Sequence, residues 1–177
     1  MEKMTSEKRK RGRLYAVKIL AQQAAESEDA RVRLLESALS EQRERSVNAL
    51  WAMTHLRTKC RDWLASHQSL FIERLLVEKD TTKKRLLLQL LREQNYAPAE
   101  VRTDFLDWCL SRINEEKEPY AIRAFCIYTA FRMCRHYPEL LTELRGLLDL
   151  LAAQQPLSPG LRCAHSKTLA AIERELR

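Results

Sequence analysis

The stretch Pro119-Tyr120-Ala121-Ile122-Arg123-Ala124-Phe125 sets the reading of the whole chain. A proline stands where a helix can begin, because an early helical position loses least from a missing N–H. An apolar residue, an arginine and a small-or-apolar run follow it. Moving outward from Arg123 in steps of 38 to 40 residues meets Arg85 and Arg45 on one side and Arg162 on the other. Two residues after each arginine come Val47, Leu87, Phe125 and Ala164, apolar in every copy and expected to face a neighbouring helix. A period of this length, carried by helices, marks a stack of helix hairpins in which each arginine opens the second helix.

The first helices of those hairpins have their own apolar stripes: Trp63, Leu64, Leu70, Phe71 and Leu75; Val101, Phe105, Trp108 and Ile113; then Leu140, Leu141, Leu144, Leu147, Leu148 and Leu151. From Arg13 onward the helical pattern breaks at Ser27-Glu28-Asp29, near Asp80-Thr81-Thr82, at Asn95 to Pro98, at Glu116 to Pro119, at Pro138 and at Pro156 to Gly160. Pro98, Pro119, Pro138 and Pro159 are expected at helix starts, with Thr81 or Thr82 and Ser158 as caps. Composition agrees with helices joined by tight turns. Glycine occurs only at positions 12, 146 and 160, while Leu, Ala, Glu, Arg and Lys dominate. With 45% apolar and 31% charged residues, 177 residues suffice for one cored domain.

Ile122-Arg123-Ala124-Phe125 and Leu161-Arg162-Cys163-Ala164 resemble the start of the second helix of HEAT repeats, and the resemblance spans roughly residues 30 to 177. The chain departs from that pattern at Lys84 and Glu44, which stand where an apolar residue precedes the arginine in the other copies. The asparagine or aspartate that such repeats pair with the arginine is also not evident. The resemblance implies an all-α fold: a right-handed α-solenoid of stacked antiparallel helix hairpins, a HEAT-like α-α superhelix of about four repeats. It would occupy residues 13–177 as a single domain behind a basic, mobile arm at residues 1–12. The second helices would line the concave face, where such solenoids bind.

The formal charge of +7 is concentrated at the start, where Lys3, Lys8, Arg9, Lys10, Arg11 and Arg13 face only Glu2 and Glu7. Sorting the rest by helix class separates the signs. The second helices carry Arg45, Arg57, Lys59, Lys83, Lys84, Arg85, Arg92, Arg123, Arg132, Arg135, Arg162, Lys167, Arg174 and Arg177. The first helices are mostly acidic. Two readings follow: structural arginines with surface ion pairs worth little each, or a basic concave surface that binds an acidic protein segment or nucleic acid. The residues expected to form that surface are Arg57, Lys84, Arg92, Arg132, Arg135, Lys167 and Arg174, with Trp51, Tyr128 and Phe131 adding apolar contact if exposed. Arg57, Arg135 and Arg174 share one register, twelve residues after their repeat arginines.

Chemistry-bearing patterns are sparse. Three isolated glycines build no phosphate loop, and no serine stands in a nucleophile-elbow context. Cys126, Cys134 and His136, like Cys163 and His165, lack paired metal-ligand spacing, so no metal and no cofactor is expected. His55 and His67 follow Trp51 and Trp63 by four residues, which puts each pair on one helix face. An enzymatic alternative comes from a resemblance, in general architecture only, to the alkylpurine DNA glycosylases. It implies a tryptophan, an aspartate and an arginine converging on a cationic base, with Asp104, Trp108 and Arg123 as the candidates. The order of aspartate and tryptophan is reversed here. The expectation is therefore a non-catalytic binding scaffold with a protein or nucleic-acid partner, no membrane span, and a reducing cytoplasm as the compartment for its free cysteines.

Overall fold

The computed structural model describes residues 2–56, 58–98, 102–154 and 156–177, with side chains from Arg11 onward. Among these residues every regular element of length is helical, in the order α1 (Glu2–Glu26), α2 (Glu28–Ala38), α3 (Arg43–Thr54), α4 (Arg61–Ser66), α5 (Gln68–Val77), α6 (Thr81–Leu91), α7 (Thr103–Ile113), α8 (Tyr120–Cys134), α9 (Pro138–Gln154) and α10 (Pro159–Glu175). None of the helices is long and apolar enough to cross a membrane. The chain divides into two compact units, residues 1–67 and 68–177.

In the first unit α1 packs on α2 and α3, which pack on each other. Val17, Ala21 and Ala24 of α1 meet a core that includes Leu34, Ala38, Val47, Leu50 and Met53. Three of these are alanines, and small side chains let helix backbones approach. The α1–α2 break is set locally: Ser27 leaves helical geometry at φ −134°, ψ 130°, and its hydroxyl accepts the Ala30 N–H at 3.3 Å. Arg13 Nε donates to Asn48 Oδ1 at 2.7 Å and Ser46 Oγ to the Ala38 carbonyl at 2.6 Å, so polar ties as well as apolar burial hold α3 in place. The helical backbone starts at Glu2, well ahead of Arg13.

The second unit contains three hairpins, α5–α6, α7–α8 and α9–α10, whose first helices pack in the sequence α5, α7, α9 and whose second helices pack in the sequence α6, α8, α10. α8 lies at the centre, against α6, α7, α9 and α10. Its buried residues, among them Ile122, Cys126, Ile127, Ala130 and Met133, therefore surround the helix on most sides. Phe71, Phe105, Leu144, Leu148 and Ala164, all at 0% exposure, fill the space between the layers, and full burial of one such large apolar side chain contributes about 1.5–3 kcal/mol.

Three local expectations change. The cap of α6 is Asp80, not Thr81 or Thr82. Its carboxylate accepts the Thr82 and Lys83 N–H groups at 2.9 and 3.0 Å and lies at the positive end of the helix. Pro98 is in 3₁₀ geometry and does not open α7, which begins at Thr103; the Pro98 carbonyl accepts the Tyr137 hydroxyl at 2.6 Å. Finally, the stripe from Trp63 to Leu75 is split between α4 and α5. The Trp63 carbonyl is engaged by Ser66 Oγ at 2.8 Å and by the His67 ring at 2.7 Å, and side chains that take a helical carbonyl compete with continuation of the helix. Pro119, Pro138 and Pro159 stand at the starts of α8, α9 and α10.

Candidate binding surface on the second helices

On α8 and its C-terminal cap, Ala121, Phe125, Tyr128, Arg132 and Arg135 recur every three or four residues and are at least partly open, as are Tyr120 and Phe131. The register that buries Val47, Leu87 and Ala164 thus leaves Phe125 half-exposed. Arg92, at the C-terminal end of α6, covers it: the guanidinium carbon lies 4.6 Å from the Phe125 ring centroid and 5.9 Å from that of Tyr128. Both are within cation–π range. Arg92 also pairs with Glu93 at 3.2 Å. From α8, Arg132 Nη1 donates to the Gln94 carbonyl at 3.0 Å, one repeat length away in sequence. On the α10 side stands Cys163, the exposed one among the cysteines, beside Tyr128. Partial burial and then the Cys163 thiol push the Tyr128 phenol above its ordinary range, with Arg92 opposing them. Lys167, one turn beyond Cys163, is exposed.

The structure therefore sets Arg92 over two aromatic rings, with Arg132 one turn along α8 from Tyr128 and Lys167 on the neighbouring helix. The remaining expected residues lie elsewhere or are differently engaged. Arg135 pairs with Glu175 at 3.4 Å across the ends of α8 and α10, and Arg174 folds back to donate to the Ala170 carbonyl of its own helix at 3.2 Å. Lys84 stands eight residues before Arg92, about 12 Å along the α6 axis. There it bonds Glu118 at 3.1 Å in a cleft of about 480 Å³ lined also by Thr81, Ser111, Arg112, Glu115, Lys117 and Pro119. Arg57 lies outside the described residues. Trp51 and Phe131 are both half-buried.

The repeat arginines divide by environment. Arg123 is wholly buried and donates from Nε to the Ile113 carbonyl at 2.9 Å, closing the end of α7 onto the start of α8. Arg45 reaches Ser37 at 3.1 Å and Arg162 reaches the Leu157 carbonyl at 3.2 Å, both near the surface. Sequence reading missed Asn114, which follows Ile113 and donates to the Leu147 carbonyl of α9 at 3.1 Å, tying one hairpin to the next. A polar residue immediately behind the last apolar position of α7 was the available signal.

Asp104, Trp108 and Arg123 do not form one site. Asp104 is exposed and bound to Arg102 at 2.6 Å, a bond that holds its carboxyl below the usual range. Trp108 is covered by Arg112 at 3.9 Å. Arg123 has no exposure and meets the opposite end of α7 from Asp104.

A family model for the HEAT repeat domain matches residues 4–172. The chain belongs to the HEAT repeat domain family. No curated protein and no solved structure matches it. The all-helical hairpins of the second unit, with Arg123 closing α7 onto α8 and Asn114 linking to α9, are the HEAT-like α-solenoid fold in this sequence.

Proposed function

We propose that this HEAT-repeat protein is a non-catalytic scaffold whose α6–α8–α10 surface binds an acidic protein segment with an apolar anchor. The observation that carries the reading is the stacking of Arg92 on Phe125 beside the half-exposed Tyr128. Aromatic rings supply contact area at small entropic cost, and arginine pairs with carboxylates while lying flat on a ring; these residue types dominate binding hot spots. HEAT repeats in general serve as protein-binding scaffolds, and this surface lies on the second helices. Under this reading the repeats act together as one domain with the second helices concave, and residues 1–12 serve as a basic arm. A reducing cytoplasm suits the free thiols.

A phosphate backbone is a poorer match. Residues 68–177 hold 17 lysines and arginines against 15 aspartates and glutamates, and Lys84, Arg92 and Arg135 are each beside a carboxylate. Nucleic-acid affinity depends on many uncompensated cations.

Fluorescence anisotropy tests the reading with two probes across a salt series: an acidic peptide containing leucine and phenylalanine, and oligonucleotides, single-stranded and duplex. The expected result is peptide binding that weakens roughly tenfold or more in Phe125→Ala and Arg92→Ala, with helical circular dichroism unchanged. Oligonucleotide binding that falls steeply with salt, without peptide binding, would transfer the surface to nucleic acid.

A further inference from the structure

α1 turns one side to α2 and α3 through Val17, Ala21 and Ala24, each no more than 7% exposed. On the opposite side lie Gly12, Tyr15, Ile19, Gln22 and Glu26, all exposed and spaced three, four, three and four residues apart. That is the seam spacing of two paired helices. Its centre is apolar: Tyr15 is 69% exposed and Ile19 38%. Its ends carry opposite charge, Arg11 at one and Glu26 at the other.

We propose that this face of α1 pairs antiparallel with the same face of a second copy of the chain, about a twofold axis that passes between Tyr15 and Ile19. An isologous contact of this kind requires a surface complementary to itself, and the order of residues supplies one. Tyr15 meets Ile19 of the second copy, Gly12 meets its Gln22, and Glu26 comes within one turn of its Arg11. A Cβ at Gly12 would have no atom within 4 Å, so the backbone there is open to the facing Gln22. A parallel pair would instead set Arg11 on Arg11, Lys18 on Lys18 and Glu26 on Glu26. Like charges repel, which selects the antiparallel arrangement. An acidic partner of another kind would match Arg11 and Lys18 but would leave Glu26 opposed to its own sign. An anionic membrane would meet the same conflict at Glu26.

One helix face per copy makes a small interface, below the roughly 1,200 Å² of stable complexes, so the expected Kd is on the order of 10 μM. Sedimentation equilibrium of the full chain from about 1 to 300 μM reads this directly. The expected result is a reversible monomer–dimer equilibrium, abolished by Ile19→Lys with circular dichroism unchanged. Arg11→Glu and Glu26→Arg singly should weaken dimerisation roughly tenfold, and the double variant should restore it because the pairs are then re-formed with reversed sign. A chain that stays monomeric throughout, dimerisation indifferent to Ile19→Lys, or a double variant no better than either single would each overturn the proposal. If the monomer instead binds phosphatidylserine-containing vesicles through Ile19, the face belongs to a membrane surface.

Discussion

α8 and the stretch of α1 from Leu14 to Ala25 are both apolar around much of their circumference, yet they end in different surroundings. α8 is packed by α6, α7, α9 and α10, and the sides of it that read as apolar are used, from Ile122 to Met133. α1 packs on α2 and α3, and Tyr15 and Ile19 remain open. A helix without a polar side requires cover in several directions. The difference teaches that lack of sidedness in a repeat protein marks either the middle of the stack or a surface that awaits a partner, and only the neighbours distinguish the two.

The strongest way to break this comparison is to truncate one isoleucine in each helix. Ile127→Ala, at a 0% exposed position of α8, should lower unfolding free energy by about 2–4 kcal/mol, because a cavity is left where the side chain is fully packed. Ile19→Ala, measured at a protein concentration where the chain is monomeric, should change it by no more than about 0.5 kcal/mol. Equal losses in urea denaturation would mean that α1 is covered as fully as α8.

A second test sharpens what the centre of α8 demands. Arg123 fills buried space, and among the described residues its Nη1 and Nη2 have no hydrogen-bond partner, so the side chain is expected to matter as volume and as one Nε bond more than as a charge. Arg123→Ala should cost about 2–4 kcal/mol. Arg123→Met keeps most of the volume and removes a buried charge, and should stay within about 1 kcal/mol of the parent. A methionine variant as unstable as the alanine one would show that the guanidinium is held by more than the Ile113 carbonyl.

The smallest expected effects compare helix caps in the two units. Asp80 accepts two backbone N–H groups and bears a charge at the start of α6, whereas Ser27 accepts one at 3.3 Å. Asp80→Ala should cost about 1–2 kcal/mol and Ser27→Ala about 0.5 kcal/mol. The order reversed, in thermal or chemical denaturation, would mean that the α1–α2 corner depends on its cap more than its geometry indicates.

Sequence by itself determined the all-helical class, the period of Arg85, Arg123 and Arg162, the breaks at Pro119, Pro138 and Ser158, and the alternation of first and second helices in residues 68–177. These follow from local physics: apolar spacing near 3.6 residues, prolines at helix starts, and caps that satisfy orphan N–H groups. The use of each cation was not local. Arg132 is tied to the Gln94 carbonyl, Lys84 to Glu118 and Arg135 to Glu175, partners 34 to 40 residues away, while Arg123, alike in sequence to Arg162, is buried where Arg162 is exposed. Charge and repeat position are written in the chain, but whether an arginine is a strut, half of an ion pair or a plate over Phe125 depends on which helix the stack places beside it. Only the tertiary structure decided that, because the distances that govern hydrogen bonds and Coulomb attraction are set between repeats and not within them.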